Sequence, residues 1–358
     1  MQPAIVVRHE SSEYPVFIGR GVVGDGRAIL AEVAPGSTPF IVTTAGLMEV
    51  AGDALANGFR GVDVLTLPDG EGAKTFEAVV RLSGDLLARG ARRDAVIVAV
   101  GGGALGDAAG FAASIYLRGV SLVHVPTTLL AQVDSSIGGK VAINHPSGKN
   151  LIGSFHAPKA VIADIDFLNS LSEQEVCSGA LEALKGGVIG DASLFDLIEL
   201  ERQAIAGRDP MILDSIVRRA VAVKASIVAQ DAHEADLRRL LNYGHTIAHG
   251  IEAAMGYEGI THGEAVGFGM IGANAVAVAR HLLDEAVAAR IDEAVRDLLT
   301  VDPPSVNVGA VLQAVEHDKK FGGGKRVMIL ARDIGHCVVV DDITEADLHL
   351  AAERALAG

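Results

Sequence analysis

The sequence predicts an α/β domain followed by a mainly α-helical one, and three observations predict it. Through residue 165, short and almost wholly apolar runs alternate with amphipathic stretches, as in a parallel sheet covered on both faces. From about Ser172 the strand signal fades, and helical periodicity rich in Ala, Leu and Glu runs to Leu299. The chain has 358 residues and is 49% hydrophobic, enough for two cores of ordinary size. The domains are expected at 1–165 and 166–358, the first with a mostly parallel sheet.

In chain order, the strands expected in the first domain are residues 4–7, 40–43, 62–65, 95–100, 121–125 and 160–163. Helical stretches 45–57, 75–89 and 105–116 lie between them. The second domain is expected to carry helices at 175–188, 192–204, 209–231, 240–255, 264–281 and 283–299. Pro303-Pro304 and Phe321-Gly322-Gly323-Gly324 punctuate its end, and residues 326–330 are expected to form a hairpin with 337–340.

Thirty basic against 45 acidic side chains leave a net charge of −15. That balance argues against a protein that binds nucleic acid by neutralising phosphates, and against a polybasic membrane anchor. Two cysteines, Cys177 and Cys337, are too few for a disulfide framework. The most apolar stretch, residues 95–117, is broken by Gly, Asp and Ser and reads as strand, loop and helix, not a bilayer span. No charged-then-apolar leader opens the chain, so a cytoplasmic enzyme is expected.

Three features carry chemistry. A strand leads into Gly101, Gly102, Gly103 and Gly106 and then a helix, where backbone N–H groups can face a pyrophosphate. The match to a dinucleotide fingerprint lacks the acid expected some 20 residues on, so an empty tight turn fits equally. Four histidines fall between 233 and 262, with His245 and His249 on one helix face. His245, His262 and a carboxylate make a candidate site for a divalent transition metal. Glu182, in an apolar helix three residues before Lys185, fits either a metal ligand or a buried ion pair. Lysine is scarce, nine against 21 arginines, and concentrates in motifs such as Gly139-Lys140, Gly148-Lys149-Asn150 and Asp318-Lys319-Lys320. In an acidic protein an anionic substrate needs such a local positive pocket.

The ordered motifs resemble 3-dehydroquinate synthase. They include Gly101 to Asp107, Tyr116-Leu117-Arg118-Gly119, Pro126-Thr127-Thr128, Asp134 to Lys140 and Gly148 to Gly153. They continue with Glu182-x-x-Lys185, Asn242-x-Gly244-His245-Thr246-x-x-His249-x-x-Glu252, His262-Gly263-Glu264 and His317 to Lys320. The resemblance implies a Rossmann-like first domain, a helical metal-binding second domain, and an active site in the cleft between them. It implies conversion of 3-deoxy-D-arabino-heptulosonate 7-phosphate to 3-dehydroquinate. The route would be transient oxidation by NAD, phosphate elimination, re-reduction and aldol closure. It also implies a divalent metal, Zn2+ or Co2+, and a homodimer.

Carried over by resemblance, Glu182, His245 and His262 match metal ligands. Asp69, Gly70, Glu71, Gly72, Ala73, Lys74, Gly103, Ala104, Leu105, Gly106, Asp107, Thr127, Thr128, Phe167, Leu168, Asn169 and Ser170 match NAD contacts. Lys140 and Lys149 match the boundary of cofactor and substrate. Arg118, Asp134, Asn150, Lys185, Lys224, Arg238, Asn242, His249 and Lys320 (or Lys319) match substrate contacts, with Arg238 as the partner of the substrate carboxylate. Thr44 and Gly46 stand where the family has Asp and Asn near the adenosine ribose, and Ala248 replaces a usual Gly. Other readings of the same scaffold are a 2-deoxy-scyllo-inosose or 2-epi-5-epi-valiolone synthase, an NAD- and metal-dependent polyol dehydrogenase, and a non-catalytic binding protein.

Overall fold

A computed structural model describes all residues except 1, 10, 11, 147, 233–235, 318–325 and 358. It divides into two compact units, Met1–Leu171 and Ser172–Gly358. The expected boundary falls six residues earlier. The turn Ile165–Ser170 goes with the first unit, because Phe167 packs into the core beneath the sheet and Leu168 is fully buried.

The first unit runs β1 (Ile5–His9), β2 (Ser12–Gly19), α1 (Gly26–Val33), β3 (Thr38–Thr44), α2 (Ala45–Gly58), β4 (Asp63–Leu67) and α3 (Phe76–Ala88). It continues through β5 (Ala95–Gly101), α4 (Gly103–Ile115), β6 (Ser121–Pro126), β7 (Lys140–His145), β8 (Gly148–Phe155) and β9 (Ala160–Asp164). Seven strands form one sheet in the order β1-β2-β9-β6-β5-β3-β4, parallel except for the β1–β2 pair. Every residue of β5 and β9 is buried, which explains their unbroken apolar sequences. All six expected strands are present; β2, β7 and β8 are additional. Pro15 hides β2 from a sequence reading, and it precedes the parallel pairing with β9, which starts at Val16. The β7–β8 hairpin packs on α4 at Gly110, where a Cβ would collide with Val141.

The second unit runs α5 (Glu173–Gly190), α6 (Ala192–Leu200), α7 (Arg202–Ala206), α8 (Pro210–Gln230), α9 (His245–Ala254), α10 (His262–Ala279) and α11 (Glu285–Leu298). It ends with α12 (Val308–His317), the antiparallel hairpin β10 (Met328–Asp333) and β11 (His336–Val340), and α13 (Glu345–Ala357). Two expected helices are each split. The stretch 192–204 breaks at Glu201. The stretch 240–255 becomes a tight turn, Leu237–Asn242, then Gly244 at φ +79° and a fresh start at His245. Apolar periodicity continues across Gly244, so only the left-handed backbone there reveals the break. Among the described residues no helix is long and apolar enough to cross a membrane.

Candidate active site

In the second unit, Glu182 on α5, His245 at the start of α9 and His262 at the start of α10 converge. One donor atom from each lies within 4.8 Å of the others. Glu182 Oε1 is 3.7 Å from His245 Nε2 and 3.4 Å from His262 Nε2. The other ring nitrogens are engaged elsewhere: His245 Nδ1 with the Tyr243 carbonyl at 3.1 Å, His262 Nδ1 with Glu252 Oε2 at 3.3 Å. With the Nδ1 protons so placed, both Nε2 atoms can donate to an ion lying beside a carboxylate oxygen, a donor set that suits a divalent transition metal. Lys185 Nζ lies 2.5 Å from Glu182 Oε2, with both side chains almost wholly buried. The ion pair and a ligand set are therefore compatible, since Lys185 faces Oε2 and the two imidazoles face Oε1.

The backbone builds this convergence. Gly244 sits under the first turn of α9, where a Cβ would lie 2.8 Å from the Val266 carbonyl oxygen. Thr261 and Glu264 form a capping box that starts α10 at His262. His249 completes the group, its ring centroid 5.5 Å from that of His245 and 6.3 Å from that of His262. In the metal-free protein, burial opposes a charge on His262, but hydrogen bonds and charge from Glu182 and Glu252 outweigh it and raise the imidazole to about 10. Lys224 on α8 and Arg238 are buried, Arg238 donating from Nη1 to the Ala232 carbonyl; Asn242 ends the turn before Tyr243. Lys319 and Lys320 lie outside the described residues.

In the first unit, five polar side chains form a network between the turn after β4, the start of α4 and the β7–β8 hairpin. Lys74, 4% exposed, donates to Asp107 Oδ2 at 2.6 Å and to the Asn150 side-chain oxygen. Asn144 Nδ2 donates to Glu71 Oε2 at 2.6 Å, and Asn144 Oδ1 accepts from the Asn150 backbone N–H at 3.1 Å. Asn150 holds a left-handed backbone, φ 57°. Glu71, Lys74, Asp107 and Asn150 were all expected site residues. Asn144 was missed, and its only sequence signal is its place on an unrecognised hairpin.

The glycine turn Gly101–Gly103 opens α4 from beneath Thr128 and Ser135. A Cβ on Gly102 would lie 3.1 Å from Thr128 Cγ2, and one on Gly103 would lie 3.0 Å from Ser135 Oγ. Gly101, Gly102, Gly103, Gly106, Asp107 and His124 line a cavity there. The glycines thus form a cradle at a helix N-terminus, packed so close to Thr128 and Ser135 that a Cβ would crowd them. Thr127 donates its N–H to the Gly101 carbonyl at 3.0 Å.

Other expected NAD contacts divide by exposure. The side chains of Ala73, Leu105, Phe167 and Leu168 are buried, whereas Asn169 and Ser170 are exposed. Thr44 caps α2, accepting from the Leu47 N–H at 3.2 Å, and Gly46 faces the Asp69 carboxylate. Asp134 lies in the short π-helix Ala131–Ser135. Arg118 is exposed, with left-handed backbone at both Leu117 and Arg118. Lys140 is exposed at the start of β7, and Lys149 is half-buried on β8.

Comparison with known proteins agrees with this geometry. Residues 64–178 match the 3-dehydroquinate synthase N-terminal family and residues 179–321 its C-terminal counterpart. A 3-dehydroquinate synthase of Caulobacter vibrioides (strain NA1000 / CB15N) is 43% identical over 347 residues, 94% of either chain. The 2-epi-5-epi-valiolone synthase of Streptomyces hygroscopicus subsp. jinggangensis 5008, solved with NAD+ and Zn2+ bound, is 30% identical. It superposes with TM-score 0.87 over 98% of this chain and 99% of its own. A 2-deoxy-scyllo-inosose synthase, complexed with carbaglucose-6-phosphate, NAD+ and Co2+, is 27% identical with TM-score 0.89 over 99% of both chains. With both halves matched in order and a relative this similar along nearly its whole length, the chain belongs to the 3-dehydroquinate synthase family of sugar-phosphate cyclases.

Proposed function

We propose that the protein is a 3-dehydroquinate synthase. It converts 3-deoxy-D-arabino-heptulosonate 7-phosphate to 3-dehydroquinate and phosphate in the shikimate pathway to aromatic amino acids, as a phosphate-eliminating lyase. Its cofactors in this reading are NAD and a divalent cation, Zn2+ or Co2+. The observation that carries the reading is the convergence of two imidazole Nε2 atoms on Glu182 Oε1 in a chain of this family.

Bound at these positions, the cation supplies Lewis acidity toward vicinal hydroxyls, and the dinucleotide supplies a hydride acceptor that is regenerated within the turnover. The residues of this chain do the rest. Glu182, His245 and His262 hold the ion, and Lys185 neutralises the carboxylate oxygen that the ion does not use. The cradle at Gly101–Gly103 and the Lys74–Asp107–Asn150 network hold the dinucleotide, with Lys140 and Lys149 at its border with the substrate. The domain roles follow: dinucleotide binding in the first, metal and substrate in the second. Arg118, Asp134, Lys224, Arg238, Asn242 and His249 orient the anionic sugar phosphate, Arg238 at the carboxylate. His249, beside both ligating histidines, holds a proton or contacts the phosphate. Localisation in the cytoplasm as a homodimer belongs to the same reading.

The test is phosphate release from the heptulosonate phosphate together with ultraviolet absorbance of dehydroquinate, with and without chelator. Stoichiometric phosphate and dehydroquinate, abolished by chelation and without net NADH, is the expected result. Activity only on sugar phosphates that lack the carboxylate would assign the chain to another cyclase. Net NADH from glycerol or short diols would make it a dehydrogenase.

A further inference from the structure

The two helices that bring Glu182 and His262 together are joined at three successive levels, and the levels run in opposite chain directions. Gln174, Ser178 and Glu182 stand four residues apart and share one face of α5. Opposite them on α10 stand Glu264, Gly263 and His262. Gln174 Nε2 donates to Glu264 Oε2 at 3.0 Å and lies 3.3 Å from its Oε1. The Gly263 N–H donates to Ser178 Oγ at 3.2 Å, and a Cβ on Gly263 would collide with the Ser178 carbonyl oxygen. Glu182 Oε1 faces His262 Nε2 at 3.4 Å.

Glu264 is the hub of this ladder. It is fully buried. Besides Gln174 it accepts from the Thr261 N–H at 2.9 Å, Thr261 Oγ1 at 2.7 Å and Thr300 Oγ1 at 2.5 Å. A capping box needs only the Thr261 N–H bond to this carboxylate and the reciprocal bond from the Glu264 N–H to Thr261 Oγ1 at 3.4 Å. The Gln174 and Thr300 bonds reach across to α5 and to the segment after α11, so they do more than start a helix. A buried carboxylate with this many donors at a helix N-terminus is held in one place. Metal–donor bonds tolerate only about ±0.2 Å, so the spacing of α5 and α10 governs how well Glu182 and His262 share an ion.

We propose that Gln174, Glu264 and Thr300 are positioning residues for the metal centre: through Glu264 they fix α10 against α5 and so set affinity for the ion. The inference rests on the metal reading given above and deepens it.

Gln174 and Thr300 line an open cavity of about 750 Å³ on the second unit, so the variants neither overfill nor empty the apolar core, although each takes a donor from the buried Glu264 carboxylate. The experiment uses the full chain stripped of metal. Co2+ affinity is measured by chelator competition, alongside the visible spectrum of the Co2+ form and the melting curve of the metal-free form. The variants are Gln174→Met, Thr300→Val, their double variant, and Thr300→Ser, which keeps the hydroxyl. The expected result is a roughly ten- to hundredfold loss of Co2+ affinity and an altered visible spectrum in the double variant. Smaller losses are expected in each single variant and near-normal behaviour in Thr300→Ser, while the metal-free melting curves are expected to stay cooperative and to fall by no more than the lost hydrogen bonds cost. Affinity and spectrum of the double variant matching the unsubstituted chain would overturn the inference while leaving the metal reading intact. Collapse of the metal-free melting curve in the double variant and both singles would also overturn it, since the network would then hold the fold and not the donor. Failure of the unsubstituted chain to bind Co2+ would remove the metal reading itself.

Discussion

Nδ1 of His245 and Nδ1 of His262 have different partners, a backbone carbonyl and a carboxylate, and the difference has a chemical consequence. A neutral carbonyl orients its imidazole; the carboxylate of Glu252 also makes its imidazole the more basic donor. Glu252→Gln can keep the contact but removes the charge, so metal affinity is expected to fall about ten- to hundredfold, with His262 still oriented. Chelator competition with Zn2+ measures this, and unchanged affinity would show that orientation alone matters. At this scale the proposed ligands are readable, because Glu182, His245 and His262 sit in motifs whose order and spacing match a family. Their supporting shell is not. Glu252 appears in the motif without a role, Gln174 lies outside every motif, and Tyr243 contributes only a backbone oxygen, which no side-chain pattern reports.

Helix α10 shows what glycine does for an element that carries a proposed ligand. Its glycines are points of close approach: Gly263 to α5, Gly269 to the Gly244 carbonyl beneath α9, and Gly272 to the Ala351 carbonyl of α13. A Cβ on Gly269 would collide with that Gly244 oxygen and lie 3.1 Å from the Ala248 nitrogen, so α9 would have to move. Gly269→Ala is expected to cost about 2–3 kcal/mol despite alanine's better helix propensity, lowering the melting temperature by roughly 5–10 °C. Gly84→Ala on α3, with nothing within 4 Å of the added methyl, is the control and is expected to raise stability by about 0.5–1 kcal/mol. Melting curves of the two variants measure both effects. Elements with one strong signal were legible: the buried strands β5, β6 and β9, and the long helices α5 and α8. Those that depend on special backbone were not. The start of α10 was expected at Glu264 because the apolar run begins there, whereas the Thr261–Glu264 capping box starts it two residues earlier. The hairpin β7–β8 buries only Val141 and Ile143 of its first strand and leaves Leu151, Ile152 and Phe155 of its second exposed, so β8 carries no core-facing alternation, and the hairpin is seated by packing on α4.

Across the whole molecule, the two units place their titrating groups at different depths, and acid should act on them in sequence. His124 on β6 is 4% exposed beneath the glycine cradle; burial, helped by the charge of His156, lowers its imidazole from 6.5 to about 4. Below pH 6.5 the unfolded chain takes up a proton at this histidine that the folded one refuses, so stability falls as pH drops from 6.5 toward 4. The full effect has an upper bound of about 3–4 kcal/mol. In the second unit, Arg280 at the end of α10 pairs with Asp347 of α13, and its hydrogen bonds hold that carboxylate down to about 2. That contribution is intact above about pH 3.8 and is lost only as pH falls on toward 2. Hydrogen exchange followed by segment, corrected for intrinsic rates, should therefore show β5 and β6 losing protection between pH 6.5 and 4 while α10 and α13 retain theirs. His124→Gln, polar but without a titration in this range, should flatten the loss in β5 and β6 and leave α10 and α13 unchanged. If protection in both units instead fell together through the same pH window in the unsubstituted chain and the variant alike, the buried histidine would not be the source of the acid lability.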